Sequence, residues 1–340
     1  MNGHVVVTGG AGYIGSVLTE MLLAAGARVT VLDRLFFGDT LADLMRRDRL
    51  RVVRDDIRAC DPALLEGADA VCDLAALSND PAGELDPRKT MEINFEGRAR
   101  ICRLAKRAGV RRYVLASSCS IYGFQDDVVD ETGPTQPLTT YAHANARAEE
   151  AVLGEASSRF CVTALRQATV YGASRRMRFD LAINGMTLAA HRTGRVRILR
   201  DGTQWRPMVH VHDTSRAFLC ALDAESETVN GEIFNVGSDD QNLQILPLAE
   251  RVAAAIGVPF VADWYGDPDH RSYRASFSKI ADRLGYRTTR TPEDGAREVA
   301  AGLRAGTLRD GPETRTVEWY RELIRWHTMT REVAMNGAIL

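Results

Sequence analysis

The chain has 340 residues, 45% of them hydrophobic, and 43 basic against 45 acidic residues leave a formal charge of -2. That length exceeds one modest domain and provides for two lobes with a large core. The near-neutral balance excludes a global field for nucleic acid or anionic lipid, and a small-molecule partner is the expectation.

The opening "MNGHVVVTGG" enters an apolar run without a basic leader, and Glu20 interrupts the longest early apolar stretch before membrane-spanning length. A cytoplasmic protein with no membrane partner is predicted. The run "VVVTGGAGYIGS" then sets Gly9, Gly12 and Gly15 at GxxGxxG spacing between a strand and a helix over Ser16 to Ala25. Glycines there permit a tight turn and close backbone approach to a pyrophosphate, which the helix N-terminus favours electrostatically. The second strand, "RVTVLD", ends on Asp33, placed for the hydroxyls of an adenosine ribose. A carboxylate there repels a 2′-phosphate, so NAD is expected, while the adjacent Arg34 keeps NADP open. "LRVVRDD" follows, and its end, with Asp56 and Ile57, borders the expected adenine site.

Further apolar runs, "ADAVCDLAA", "RRYVLASS" and "CVTALRQATVYG", alternate with helical stretches at 88–108 and 141–157. Strands this apolar are buried on both faces, so the pattern predicts a doubly wound Rossmann α/β domain with a parallel sheet. After Gly172 the texture turns irregular and Arg-rich, with one later strand-like run, "GEIFNVG". The expected organisation is a dinucleotide domain at 1–172 plus about 231–237, and a smaller interleaved α/β substrate lobe at 173–230 and 238–340. Cys60, Cys72, Cys102, Cys119, Cys161 and Cys220 lack CxxC or Cys/His spacing, so disulfides and metal are not expected. "HVHD" at 210–213 reads as a strand-to-helix turn, not a metal site.

The pieces "TGGAGYIG", "DLAALS", "INFEG", "SSCSIYG", "RQATVYG", "DGTQWRPMVHVHD" and "SKIADRLGY", in that order, resemble the extended short-chain dehydrogenase/reductase family in its nucleotide-sugar epimerase and dehydratase branch. The resemblance covers nearly the whole chain. It implies NAD contacts at Gly9, Gly12, Tyr13, Ile14, Gly15, Asp33, Arg34, Asp56, Ile57, Leu74, Ala75, Ala76, Asn94, Ser117, Tyr141 and Asn145. It makes Tyr141 the proton carrier and Ser118 the group that orients the substrate hydroxyl. Ser78, Ser118, Asn184, Arg206 and Arg271 would hold a nucleotide-diphosphate sugar, with guanidinium suited to phosphate. Family members pair through two helices of each subunit, which implies a homodimer built on a four-helix bundle.

Two departures matter. Dehydratases of the branch carry an acidic pair, and decarboxylases a glutamate, directly after the hydroxyl residue, where this chain has Cys119 and Ser120. The expected reaction is therefore epimerisation through a keto sugar, with Cys119 either packed in the core or acting as a further acid/base. Dehydratase, reductase and decarboxylase chemistry stay open. The second departure is Asn145, which stands where the family has a lysine one turn after the tyrosine. An amide can bond the nicotinamide ribose but brings no charge to pull down the pKa of a phenol that titrates near ~10. A catalytically silent NAD or nucleotide-sugar sensor is the alternative that this change leaves.

Overall fold

The computed structural model describes residues 3–44 and 48–338, so the extreme ends of the expected domain spans lie outside it. Seven parallel strands form the main sheet: β1 (His4–Thr8), β2 (Arg28–Asp33), β3 (Leu50–Arg54), β4 (Ala70–Asp73), β5 (Arg112–Ser118), β6 (Cys161–Gln167) and β7 (Glu232–Val236). Their order is β7-β6-β5-β4-β1-β2-β3. The reversal of strand order between β1 and β4 opens a crevice at the carboxyl edge, where ligands bind in such sheets. Val5, Val6 and Val7 are almost wholly buried, because helices cover both faces. The predicted doubly wound sheet is what forms, and "GEIFNVG" rejoins it as β7 beside β6.

On one face helix α1 (Tyr13–Ala24) shares a core with a later helix, Val211–Asp223, through residues such as Leu18, Leu22, Ala217 and Phe218. On the other face lie Arg98–Arg107, here α2, and Thr140–Leu153, here α3, which place Ile101, Cys102, Ala148 and Val152 against the sheet. The helix Val211–Asp223 was expected within the substrate lobe. Its apolar stripe faces the dinucleotide sheet instead, so the 173–230 segment is divided between the two lobes.

The smaller lobe is built around a separate core of Ile183, Met186, Ile198, Leu248 and Val252. A three-stranded sheet joins Thr169–Tyr171, Trp205–His210 and Asn242–Gln244. Two parallel pairs, Val196–Leu199 with Ala262–Tyr265 and Phe124–Val129 with Ser272–Ala275, complete it. The last helix, Thr316–Val333, returns to the dinucleotide domain: the Trp319 indole donates to the Phe36 carbonyl at 2.6 Å, and Tyr320 packs against Phe36 and Phe37. No described helix is long and apolar enough to cross a membrane.

Candidate active site

One cleft of about 1690 Å³ runs between the lobes. That exceeds the ~300–1,000 Å³ of a pocket for one drug-sized ligand, and it leaves room for two. At its floor Gly9 has φ 67°, a left-handed value that favours glycine. A Cβ at Gly9 would approach the Ala75 amide at 2.8 Å, and one at Gly15 would fall on the Gly9 carbonyl. The glycines thus let three backbone segments meet under a ligand.

At one end of the cleft, Asp33 accepts from the amides of Ala11 at 3.0 Å and Leu35 at 2.8 Å. Burial raises its carboxyl pKa, and those amides partly offset the rise. Arg34 donates to Asp56 at 2.6 Å and lies over the Phe36 ring. The Asp33 and Asp56 carboxylates beside Arg34 disfavour a 2′-phosphate there, which agrees with NAD. Burial pushes the Asp56 carboxyl up, but hydrogen bonds from Arg58 and Arg34 outweigh it and hold the group well below the usual carboxylate range.

Gly9, Gly12, Tyr13, Ile14, Gly15, Ile57, Leu74, Ala75, Ala76, Ser78, Ser117, Ser118, Tyr141, Arg206 and Arg271, all candidate site residues from the sequence, also line this cleft. Ser118 ends β5 and bonds the Tyr141 phenol, while its oxygen accepts the Ser120 amide at 3.1 Å. Thr139 caps α3 by accepting from the Ala142 amide at 3.1 Å, which fixes Tyr141 in the first turn. Burial raises the Tyr141 pKa and the Asp80 carboxylate adds to the rise, while Arg98, Ser118 and Asn145 lower it. The Ser117 hydroxyl is tied to the buried Glu149–Arg166 pair and contributes to the cleft wall without being free.

At the far end Arg206 and Arg271 share Asp269, with contacts of 2.8 and 2.6 Å, and Arg271 also reaches Asp80. Burial opposes ionisation of Asp269, yet Arg271 and Arg206 hold its pKa below the ordinary value. A depressed carboxylate stabilises the fold above its unfolded pKa of about 4, and that contribution is lost as pH falls. Asp269→Asn should therefore be less stable than the parent near neutrality, with the gap closing in urea unfolding at about pH 3.

Four predicted residues are placed otherwise. The Cys119 thiol is fully buried, donates to the Arg166 carbonyl at 3.2 Å and is pushed well above its ordinary pKa by burial. It points into the core, so it is not an acid/base facing the cleft. Asn94 is buried behind the wall and exchanges two hydrogen bonds with the Leu77 backbone, at 2.8 and 3.0 Å, where cofactor contact was expected. Asn184 accepts from the Gly172 amide and donates to the Tyr13 hydroxyl and Arg178 carbonyl, so its polar atoms brace the lobes where substrate contact was expected. Asn145 is buried too; its amide donates to the Tyr141 carbonyl at 2.9 Å and accepts from Arg98. Its side chain also bonds the Tyr141 phenol, so the amide is engaged with Tyr141 and Arg98 where a nicotinamide contact was expected.

Arg176 and Arg178, which the Arg-rich stretch after Gly172 offered to this cleft, line it together with residues that carry no local signal. Arg178 forms a bidentate pair with Asp180 and also reaches Ser78. Arg176 is buried, and burial together with Arg178 pushes its guanidinium down to about 10. Its Nε and Nη1 lack partners, an orphaned pair of donors between the lobes that suits an anionic ligand. Ser120 also carries a buried hydroxyl without a partner beside Ser118. The Thr316–Val333 helix borders the Asp33 end through Tyr320, Leu323 and Ile324, a long-range contact with no local signal. Trp319→Ala, which removes the indole bond to Phe36, should weaken NAD binding about tenfold by titration calorimetry, an effect of ~1.4 kcal/mol.

The glycine cradle and the orphaned donors of Arg176 fit the diphosphate of a dinucleotide, and Asp33 fits its ribose hydroxyls. Fold and cleft together define a dinucleotide-dependent α/β enzyme with a second binding lobe. The chain belongs to the NAD dependent epimerase/dehydratase family, whose model matches residues 5–237, and its cofactor is NAD. It is 30% identical over 309 residues to the UDP-glucose 4-epimerase of Lacticaseibacillus casei, covering 83% of this chain and 91% of that one. It is 25% identical over 339 residues to the UDP-N-acetyl-alpha-D-glucosaminuronate decarboxylase of Bacillus cytotoxicus, covering 95% and 99%. The solved structure of MoeE5 in complex with UDP-glucuronic acid and NAD is similar at a TM-score of 0.79 and 27% identity, covering 89% of this chain and all of that one, 100%.

Proposed function

We propose that this enzyme epimerises one carbon of a nucleotide-diphosphate sugar by transient oxidation to a keto sugar. The observation that carries the reading is the set of groups that one cleft brings together: Asp33 and the glycines, Ser118 with Tyr141, and Arg206 with Arg271. Bound NAD supplies reversible hydride chemistry, so no outside oxidant is needed. Gly9, Gly15 and Asp33 hold it, with Arg176 as the donor from the other lobe. Ser118 orients the sugar hydroxyl; Tyr141 removes its proton as the carbon is oxidised and returns the proton when the carbon is reduced. Arg206 and Arg271 exchange their hold on Asp269 for the substrate diphosphate.

Elimination or decarboxylation would call for a further acid or base at the sugar. Of the two positions after Ser118, Cys119 is turned into the core and Ser120 offers a hydroxyl. Asp80 brings a carboxylate near Tyr141, but it accepts from Thr139 at 2.5 Å and pairs with Arg271. These arrangements support epimerisation over the alternatives. The same reading includes a homodimer through α2 and α3, and light scattering at the monomer mass would reject that part. Incubation of the NAD-loaded protein with UDP-glucuronic acid, UDP-glucose and their N-acetylated relatives should give an isomer of unchanged mass from one of them. Tight binding of NAD and a nucleotide sugar without conversion would favour a silent sensor.

A further inference from the structure

Asn145 leaves the phenol of Tyr141 without a cation one turn along its helix, and Arg147 further on lies over the Phe95 ring, yet the structure supplies a cation from a different element. Arg98 opens α2 directly after a π-type turn over Glu92–Gly97. Such a turn inserts an extra residue into the helical ladder, a feature frequent at functional sites. Arg98 falls on the same stripe as Ile101, Cys102 and Ala105, the residues that face the sheet, and its side chain is among the largest fully buried ones. A charge on that stripe is costly unless it is hydrogen-bonded.

Its partners are all neutral. Nε donates to the Ala75 carbonyl at 3.1 Å, Nη1 to Asn145 Oδ1 at 2.9 Å and Nη2 to the Ala116 carbonyl at 2.9 Å. Ala75 and Ala116 both line the cleft, as does Arg98 itself, while Asn145 stands behind it and bonds back to Tyr141. The charged groups facing Tyr141 are Asp80, Arg178 and Arg98. Arg178 is neutralised by Asp180, and Arg271 is the partner of Asp80. Among the described residues, no carboxylate forms an ion pair with Arg98.

We infer that Arg98 is the positioning residue that supplies the fixed positive charge for Tyr141, with Asn145 as the amide link that aims it. An arginine at 98 and an asparagine at 145 thus act as one unit, and the charge enters from the wall of the cleft, not from the tyrosine's own helix. Asn145 is on this account a spacer that accepts one guanidinium hydrogen and donates to the Tyr141 carbonyl. A lysine at 145 beside Arg98 would place two cations where one is accommodated. The inference rests on Tyr141 being the proton carrier, but its test does not require turnover.

The test is titration of the phenol in the full-length, NAD-loaded protein. Difluorotyrosine, which ionises within the accessible pH range, replaces tyrosine throughout, and the position-141 signal is identified by its loss in Tyr141→Phe. Arg98→Met, which keeps an unbranched stem without charge, should move the 141 titration up by about one unit or more. Arg98→Lys should keep it within about half a unit of the parent. An unchanged titration in folded Arg98→Met overturns the inference. If Arg98→Met does not fold, the double variant Arg98→Met, Asn145→Lys decides: a titration near that of the parent supports a single exchanged cation, and an upward shift overturns it. Because the phenol is read directly, an inactive protein with the expected shifts would fault the proposed reaction and leave the charge assignment standing.

Discussion

Tyr141→Phe is expected to cut turnover by about 10²–10⁴-fold, the range by which positioned acid/base groups accelerate proton transfer. The variant keeps the ring and its packing against the cleft wall and removes only the proton-carrying oxygen. Affinity for NAD should stay near the parent value, because the glycine loop and Asp33 are untouched. Calorimetry for binding and product analysis for turnover separate the two effects. A variant with full activity would show that another group carries the proton, and no described thiol replaces it, since Cys119 is turned into the core.

Arg206→Met is expected to raise the KM for the nucleotide sugar by about 30-fold or more, with a smaller effect on kcat. Loss of one member of a buried, charge-assisted contact typically costs about 2–5 kcal/mol, and ~1.4 kcal/mol is a tenfold change in affinity. Arg206 lies over the Tyr273 ring and pairs with Asp269, so its guanidinium is held in place before substrate arrives. Removing it also leaves Asp269 to Arg271 alone, which should lower the affinity of Arg271 for phosphate. Arg271→Met should act in the same direction, and the two effects should not add, because both residues share one carboxylate. Initial rates over a range of substrate concentration test this.

The parts of the site that sequence revealed are those fixed locally. The spacing of Gly9, Gly12 and Gly15 dictates a turn between a strand and a helix, and Asp33 ends the neighbouring strand, so both could be placed without tertiary information. Ser118 and Tyr141 follow similarly from a strand end and a capped helix start. What sequence could not settle was the direction in which side chains point once elements pack. Asn94, Asn184 and Asn145 all sit in the expected segments, yet their amides satisfy buried backbone groups or each other's neighbours, as buried polar atoms must. Cys119 shows the same effect at the end of β5, where the turn sends its thiol toward Arg166 and Asn235.

Arg98 was more legible than the reading made of it. A cation at i with apolar residues at i+3, i+4 and i+7 breaks the amphipathic pattern, and such a break asks for a partner. The partner, Asn145, lies 47 positions away, so only the fold could join the two departures into one arrangement. The closing helix over Thr316–Val333 is the opposite case: its sequence predicts a helix, but nothing in it predicts contact with Phe36 at the far end of the chain.

The proposed reaction is oxidation and re-reduction at one sugar carbon with Tyr141 as proton carrier. The most direct measurement is conversion of a nucleotide sugar, with UDP-glucuronic acid as the first probe, by the NAD-loaded protein in deuterated water. The expected product is an epimer with no net reduced cofactor and no solvent deuterium at the inverted carbon, because the hydride removed is the one returned. A product lighter by the mass of water or carbon dioxide, or an epimer carrying solvent deuterium at the inverted carbon, would contradict it.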